Sequence, residues 1–160
     1  VMSDYFAEEA ALEEKIRAFG RELTGQKETA TELPSGLRYL VLEEGDGPKP
    51  SQGQKISVDY AGWLEDGSLF DTSLDSIARG SGNYEKLRAM HRGDFSPITM
   101  LYSPDMRLIA GFKEALMEMK AGDKWRVFIP PHLGYGSQGS GPIPPNANLV
   151  FDLKMLPLSE

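Results

Sequence analysis

Cysteine is absent from this 160-residue chain, which excludes disulfides, a catalytic thiol and cysteine-ligated metals. The absence leaves the redox compartment open, because a cysteine-free chain is at ease in either setting. Histidine is scarce: His91 and His132 are the only two. They stand isolated in the sequence, so neither a metal site nor any other cofactor is expected, and both rings are expected to be solvated. No second carboxylate stands at a spacing that would pair with Asp71 for acid–base work. No apolar run approaches the roughly 20 residues of a membrane span. Positive charge is also in deficit. The formal net charge is −7, and residues 1–33 carry eight acidic against four basic side chains. A chain without a basic face is a poor partner for nucleic acid.

What is present is a globular composition, 40% hydrophobic with no long charged run, sized for one domain plus an appendage. The chain starts Val-Met, which reads as the end of a trimmed or processed polypeptide and puts any targeting signal out of view. Residues 3–24 read as a helix, with Ser3 as N-cap and acidic side chains in the first turns, where the helix dipole favours them. Tyr5, Leu12, Ile16, Phe19 and Leu23 form an apolar stripe along it. Two heptads are too few for a coiled coil. The stripe fits either packing on the chain's own domain or contact with a partner, including a homodimer, and the pattern does not choose. Residues 25–36 are polar, end in Pro34-Ser35-Gly36 and read as a linker. The expected division is an arm and linker over 1–33 and a domain over 34–160.

From Leu37 the apolar period becomes two. Ile56, Val58 and Tyr60 alternate with polar neighbours, as do Trp125, Val127 and Ile129, and then Leu149, Phe151, Leu153 and Met155. Asp66-Gly67 marks a hairpin turn. One clear helix stands between them, with Ile109, Phe112, Leu116 and Met119 at spacings of three and four and Gly122 as its stop. The expectation is an α+β fold: an antiparallel curved sheet wrapped around one amphipathic helix, plus the N-terminal helix.

Three blocks carry the chemistry: VDYAGWLEDGSLFD at 58–71, GFKEALMEMKAGD at 111–123 and IPPHLGYGSQGSGPIPP at 129–145. Each sets aromatic or branched apolar side chains beside one or two lone polar groups. None supplies a nucleophile, a metal-ligand cluster or a phosphate cradle. With the closing NANLVFDLKML strand, the blocks resemble the FKBP-type peptidyl-prolyl cis-trans isomerases from about Leu37 to Leu156, interrupted by an extra segment at 72–97.

The resemblance implies an antiparallel half-barrel with a ligand pocket between helix and sheet. It implies Tyr60, Phe70, Phe112 and Phe151 as pocket walls and floor, and Ile109 and Ile143 on the rim. A further wall position falls on Ile98, or on Thr99 in a shifted register. Tyr135, in the LGYG loop, would donate its hydroxyl to a substrate carbonyl, as would the backbone N–H of Ile109. Asp71 would either polarise the amide or orient Tyr60. Asp71, Tyr135 and Phe70 are therefore the candidate catalytic residues. The implied partners are proline-containing peptides and unfolded protein clients. The position often held by tryptophan in the family is Phe112 here, which implies weaker binding of macrolide inhibitors.

The extra segment holds a stretch from Tyr84 to Met90 long enough for two helical turns. It reads either as a solvated insertion or as a flap at the pocket mouth. A non-catalytic chaperone or binding module using the same groove is the alternative function. A weak likeness of the arm to exported bacterial members slightly favours the envelope over the cytoplasm.

Overall fold

Residues that alternate along each strand point to opposite faces of one sheet, and here both faces are apolar in the middle. The computed structural model describes residues 2–158, with side chains from Tyr5 onward, so the cap expected at Ser3 lies outside the described side chains. Helix α1 (Met2–Thr29) precedes β1 (Thr31–Glu32), β2 (Arg38–Glu43), β3 (Lys55–Leu64) and β4 (Leu69–Thr72). Two short helices follow, α2 (Asp75–Arg79) and α3 (Tyr84–Met90). Then come β5 (Ile98–Leu101), α4 (Ala110–Glu118), β6 (Lys124–Ile129) and β7 (Leu149–Met155). The strands lie in the order β1-β2-β6-β7-β3-β4, with β5 also paired to β3, and every pairing is antiparallel. The expected α+β fold, with a helix on an antiparallel sheet, is what the chain adopts.

On the inner face, Phe112, Ala115 and Leu116 of α4 meet Val58, Val127, Leu153 and Met155, all buried. Full burial of one such aliphatic side chain stabilises by about 1.5–3 kcal/mol, so this cluster anchors α4 to the sheet. On the outer face, the intervening residues Trp63, Leu69, Phe128 and Val150 form a second cluster. Phe19 and Leu23 of α1 cover it, together with Ala78 of α2 and Leu87 of α3. The stripe on α1 therefore serves the chain's own domain over its carboxyl-terminal half. Tyr5 and Phe6, 60% and 57% exposed, lie off that contact.

The helix seats tightly because Gly20 has no side chain. A Cβ there would come within 2.5 Å of the Asp66 carbonyl in the β3–β4 turn. Arg126 of β6 fixes the same face. It donates to both carboxylate oxygens of Asp152 (2.7 and 2.9 Å) and to Gln26 Oε1 of α1 (2.9 Å), and it stands 5.4 Å over the Phe19 ring.

Residues 25–36 differ from the linker expected of them. The helix runs on to Thr29, and Thr31 and Glu32 pair with Tyr39 and Arg38. The reason is tertiary: besides the Gln26 contact, the Lys27 carbonyl accepts from Arg38 (3.1 Å), and such partners override a polar, glycine-containing local pattern.

Candidate active site

The site begins in the β3–β4 hairpin. Asp66 organises its turn by accepting from the Ser68 N–H at 2.9 Å, and the strands leave it as an antiparallel pair. Their register slips by one residue. Gly62 faces Asp71 and Trp63 faces Leu69, so Phe70 is the extra residue of a β-bulge. A bulge breaks the in–out alternation of a strand. Phe70 and Asp71, though adjacent, thereby both line the inner cavity. Gly62 makes room for this: a Cβ there would lie 2.6 Å from Phe70 and 2.7 Å from Phe151.

The cavity, about 510 Å³, is lined by Tyr60, Phe70, Asp71, Arg107, Leu108, Ile109, Phe112, Tyr135 and Phe151. Its aromatic wall is a chain of edge-to-face contacts, the arrangement favoured by ring quadrupoles. Phe70 meets Phe151 at 5.4 Å, Phe151 meets Phe112 at 5.4 Å, and Phe112 meets Tyr60 at 6.3 Å between ring centres. Strands β3, β4 and β7 supply three of these rings and α4 the fourth, so the wall is held by both layers of the fold. Tyr135 comes from the loop after β6, which is folded on itself by Gly136 N–H to the Pro131 carbonyl and Asn146 N–H to the Gly136 carbonyl. Tyr135 is 37% exposed at the cavity edge.

Three donors surround Asp71. Tyr60 Oη donates to Oδ2 at 2.8 Å, the Thr72 N–H donates to Oδ1 at 2.8 Å, and His91 Nε2 lies 2.7 Å from Oδ1. Burial pushes the Tyr60 hydroxyl well above the ordinary phenol range, and its bond to Asp71 pushes it further. Burial, then the Asp71 charge, also raises Tyr135. Both phenols are thus neutral hydrogen-bond donors across the physiological range. Ile109 is the extended residue that caps α4, and no group among the described residues accepts from its N–H. The arrangement offers an apolar bed for a ring and two donors for a carbonyl.

Residues 47–156 match the family profile described as FKBP-type peptidyl-prolyl cis-trans isomerase. The chain belongs to this FKBP-type family. The outer membrane protein MIP of Legionella longbeachae is 36% identical over 125 residues, covering 78% of this chain and 45% of that protein. FK506-binding protein 1 of Gibberella zeae is 35% identical over 126 residues, 75% of this chain and 96% of its own length. The crystal structure of FkpA from Escherichia coli superposes with a TM-score of 0.62 at 28% identity, covering 99% of this chain and 70% of that one. The chain spans about half the length of the first bacterial relatives it matches.

In this FKBP-type chain, seven of the nine residues expected at the site meet at the cavity: Tyr60, Phe70, Asp71, Ile109, Phe112, Tyr135 and Phe151. Ile143 and Ile98 do not line it, although both pack in the same cluster as its rings. Ile143 is buried in the inner core, where Ser140 and Ile143 close a bridge across the loop. Ile98 sits on β5 opposite Val58 and packs, partly buried, against that core. Arg107 and Leu108 were not expected at the wall; they lie in the irregular stretch before α4, which carries no periodic signal. His91, expected to be solvated, is instead half-buried between Asp71 and Phe95, whose ring centre lies 4.8 Å away. The contact joins residues 20 apart in sequence, and no local pattern announces it. His132 is exposed, with Nε2 2.8 Å from the Ser35 carbonyl oxygen.

Proposed function

We propose that this chain accelerates cis–trans rotation of X–Pro peptide bonds in peptides and unfolded protein clients. The uncatalysed barrier is about 18–20 kcal/mol, and no bond need break to cross it. The planar amide is charge-separated and well solvated by water, whereas the twisted amide has lost resonance and has a less polar carbonyl. An apolar cavity that excludes water disfavours the flat form more than the twisted one, which is differential binding of the transition state. Each 1.4 kcal/mol of that difference is about tenfold in rate.

The open aromatic cavity carries this reading. In it, Phe70, Phe112 and Phe151 hold the proline ring, and Tyr135 Oη and the Ile109 N–H receive the carbonyls of the substrate. Asp71 supports rather than attacks: its oxygens are already engaged, and it fixes the rotation of Tyr60. The test is isomer exchange of a short Leu-Pro peptide with wild type and Tyr135→Phe. The expected result is catalysis by wild type and a loss of several-fold in the variant. Wild-type rates equal to buffer would leave the non-catalytic binding module as the reading.

Phe112 offers a smaller floor than the family's frequent tryptophan. Rigid macrolides are therefore proposed to bind more weakly than to tryptophan-bearing relatives, while peptide turnover persists. The exposed Tyr5 and Phe6 in the amino-terminal turns of α1 support a homodimer through that part of the helix. Sizing chromatography of Tyr5→Glu/Phe6→Glu against wild type tests it, and a wild-type monomer removes the idea. A relative named as an outer membrane protein favours a bacterial envelope location.

A further inference from the structure

We propose that His91 is a positioning residue of the isomerase site, delivered by the segment between β4 and β5 to hold Asp71 and, through it, the Tyr60 wall. The proposal rests on the isomerase reading for its consequence and on the geometry around Asp71 for its basis.

His91 is placed by structure on both of its sides. It caps the carboxyl end of α3, with its N–H donating to the Leu87 carbonyl at 3.0 Å. The chain then turns through Arg92, whose φ is 53°, and Asp94 N–H closes back on the His91 carbonyl at 2.9 Å. Leu87, one turn earlier, is buried in the outer cluster and anchors α3 to the sheet. The ring packs on Phe95, which stacks in turn on Tyr84. Tyr84 Oη donates to Asp75 of α2 at 2.9 Å, so the segment supports itself before it reaches the site.

At the far end, Nε2 meets Asp71 Oδ1 at 2.7 Å, with side chains 17% and 27% exposed. A ring N–H donating to a carboxylate is a charge-assisted contact even when the imidazole is neutral. A carboxylate turns broadly about its last torsion, and each donor on its oxygens narrows that freedom. The Tyr60 hydroxyl holds Oδ2, while Thr72 N–H and His91 share Oδ1. Removing His91 leaves Oδ1 with the Thr72 N–H alone, so the carboxylate, and with it the Tyr60 hydroxyl on its other oxygen, is held less firmly. The segment and the site acid are thus ordered by the same bond.

A double-mutant cycle on Leu-Pro exchange tests this. His91→Ala is expected to lower kcat/KM about threefold to tenfold, the range for one ordinary intramolecular hydrogen bond, because its loss reaches the cavity only through Asp71. His91→Gln, whose amide can still donate, is expected to restore most of it. In an Asp71→Ala background, His91→Ala should have no further effect. Multiplying losses, or equal losses in Gln and Ala variants, would overturn the proposal. A second arm needs no turnover: amide hydrogen exchange over residues 84–95 should quicken in Asp71→Ala, and unchanged protection would also overturn it. If wild type fails to catalyse exchange, the isomerase reading fails, while the amide arm still decides whether the bond holds the segment.

Discussion

Two aromatic clusters back the same strands from opposite sides. The outer one, built on Trp63 and Phe128, is capped by the chain itself: Phe19 sits edge-on to Trp63 with ring centres 5.1 Å apart, and Arg126 lies over both rings. The inner one, built on Phe70, Phe112 and Phe151, uses the same edge-to-face contacts, yet it borders an open cavity of about 510 Å³. Similar side chains in similar geometry thus have different uses. What separates them is whether another part of the chain fills the space in front. A filled face contributes stability, and an unfilled one keeps apolar surface available for a ligand.

Substitutions can break this contrast. Trp63→Ala should cost about 3–5 kcal/mol in urea unfolding, because a buried aromatic is replaced by a void. The kcat/KM of the folded fraction should stay within about twofold. A large loss of activity at unchanged stability would erase the distinction between the faces. Gly62→Ala sharpens it from the other side. The new methyl meets Phe70 and Phe151 head-on, so about 1–3 kcal/mol of strain is expected together with a several-fold loss of turnover.

Phe70→Ala should invert the balance seen at Trp63. The ring is only half-buried and faces open space, so unfolding should shift little, while kcat/KM should fall about tenfold or more. The smallest effect is expected at Asp123, remote from both clusters. Burial alone would raise its carboxyl, but the Lys120 and Gly45 backbone donors and the Lys120 ammonium outweigh burial and lower it. A lowered folded value stabilises fully above the unfolded carboxylate's value of about 4 and is lost as pH falls through the folded one. The stability gap between wild type and Asp123→Asn should therefore narrow below about pH 4; a gap that widens there would contradict the assignment.

The strands were legible because Ile56, Val58 and Tyr60, and again Leu149, Phe151 and Leu153, carry a period of two that one buried face imposes. Helix α3 falls on the stretch from Tyr84 to Met90 that has length enough for two turns. Seven of the residues lining the cavity were legible through motif likeness and not through periodicity, since a cavity wall and a packed core use the same rings. The features that stayed hidden are all products of tertiary contact. The bulge at Phe70 is a register event between two strands, the run of α1 to Thr29 depends on Arg126 and Arg38, and His91 finds Asp71 only after two helices have turned the chain back.

The central claim is that the open inner face speeds amide rotation without moving a proton. Exchange spectroscopy on a Leu-Pro peptide, in light and heavy water from pH 6 to 8, tests it most directly. The account predicts acceleration over buffer and a solvent isotope effect near one throughout that range, because both cavity tyrosines are held neutral and no proton moves. A large isotope effect, or exchange no faster than in buffer, would contradict it.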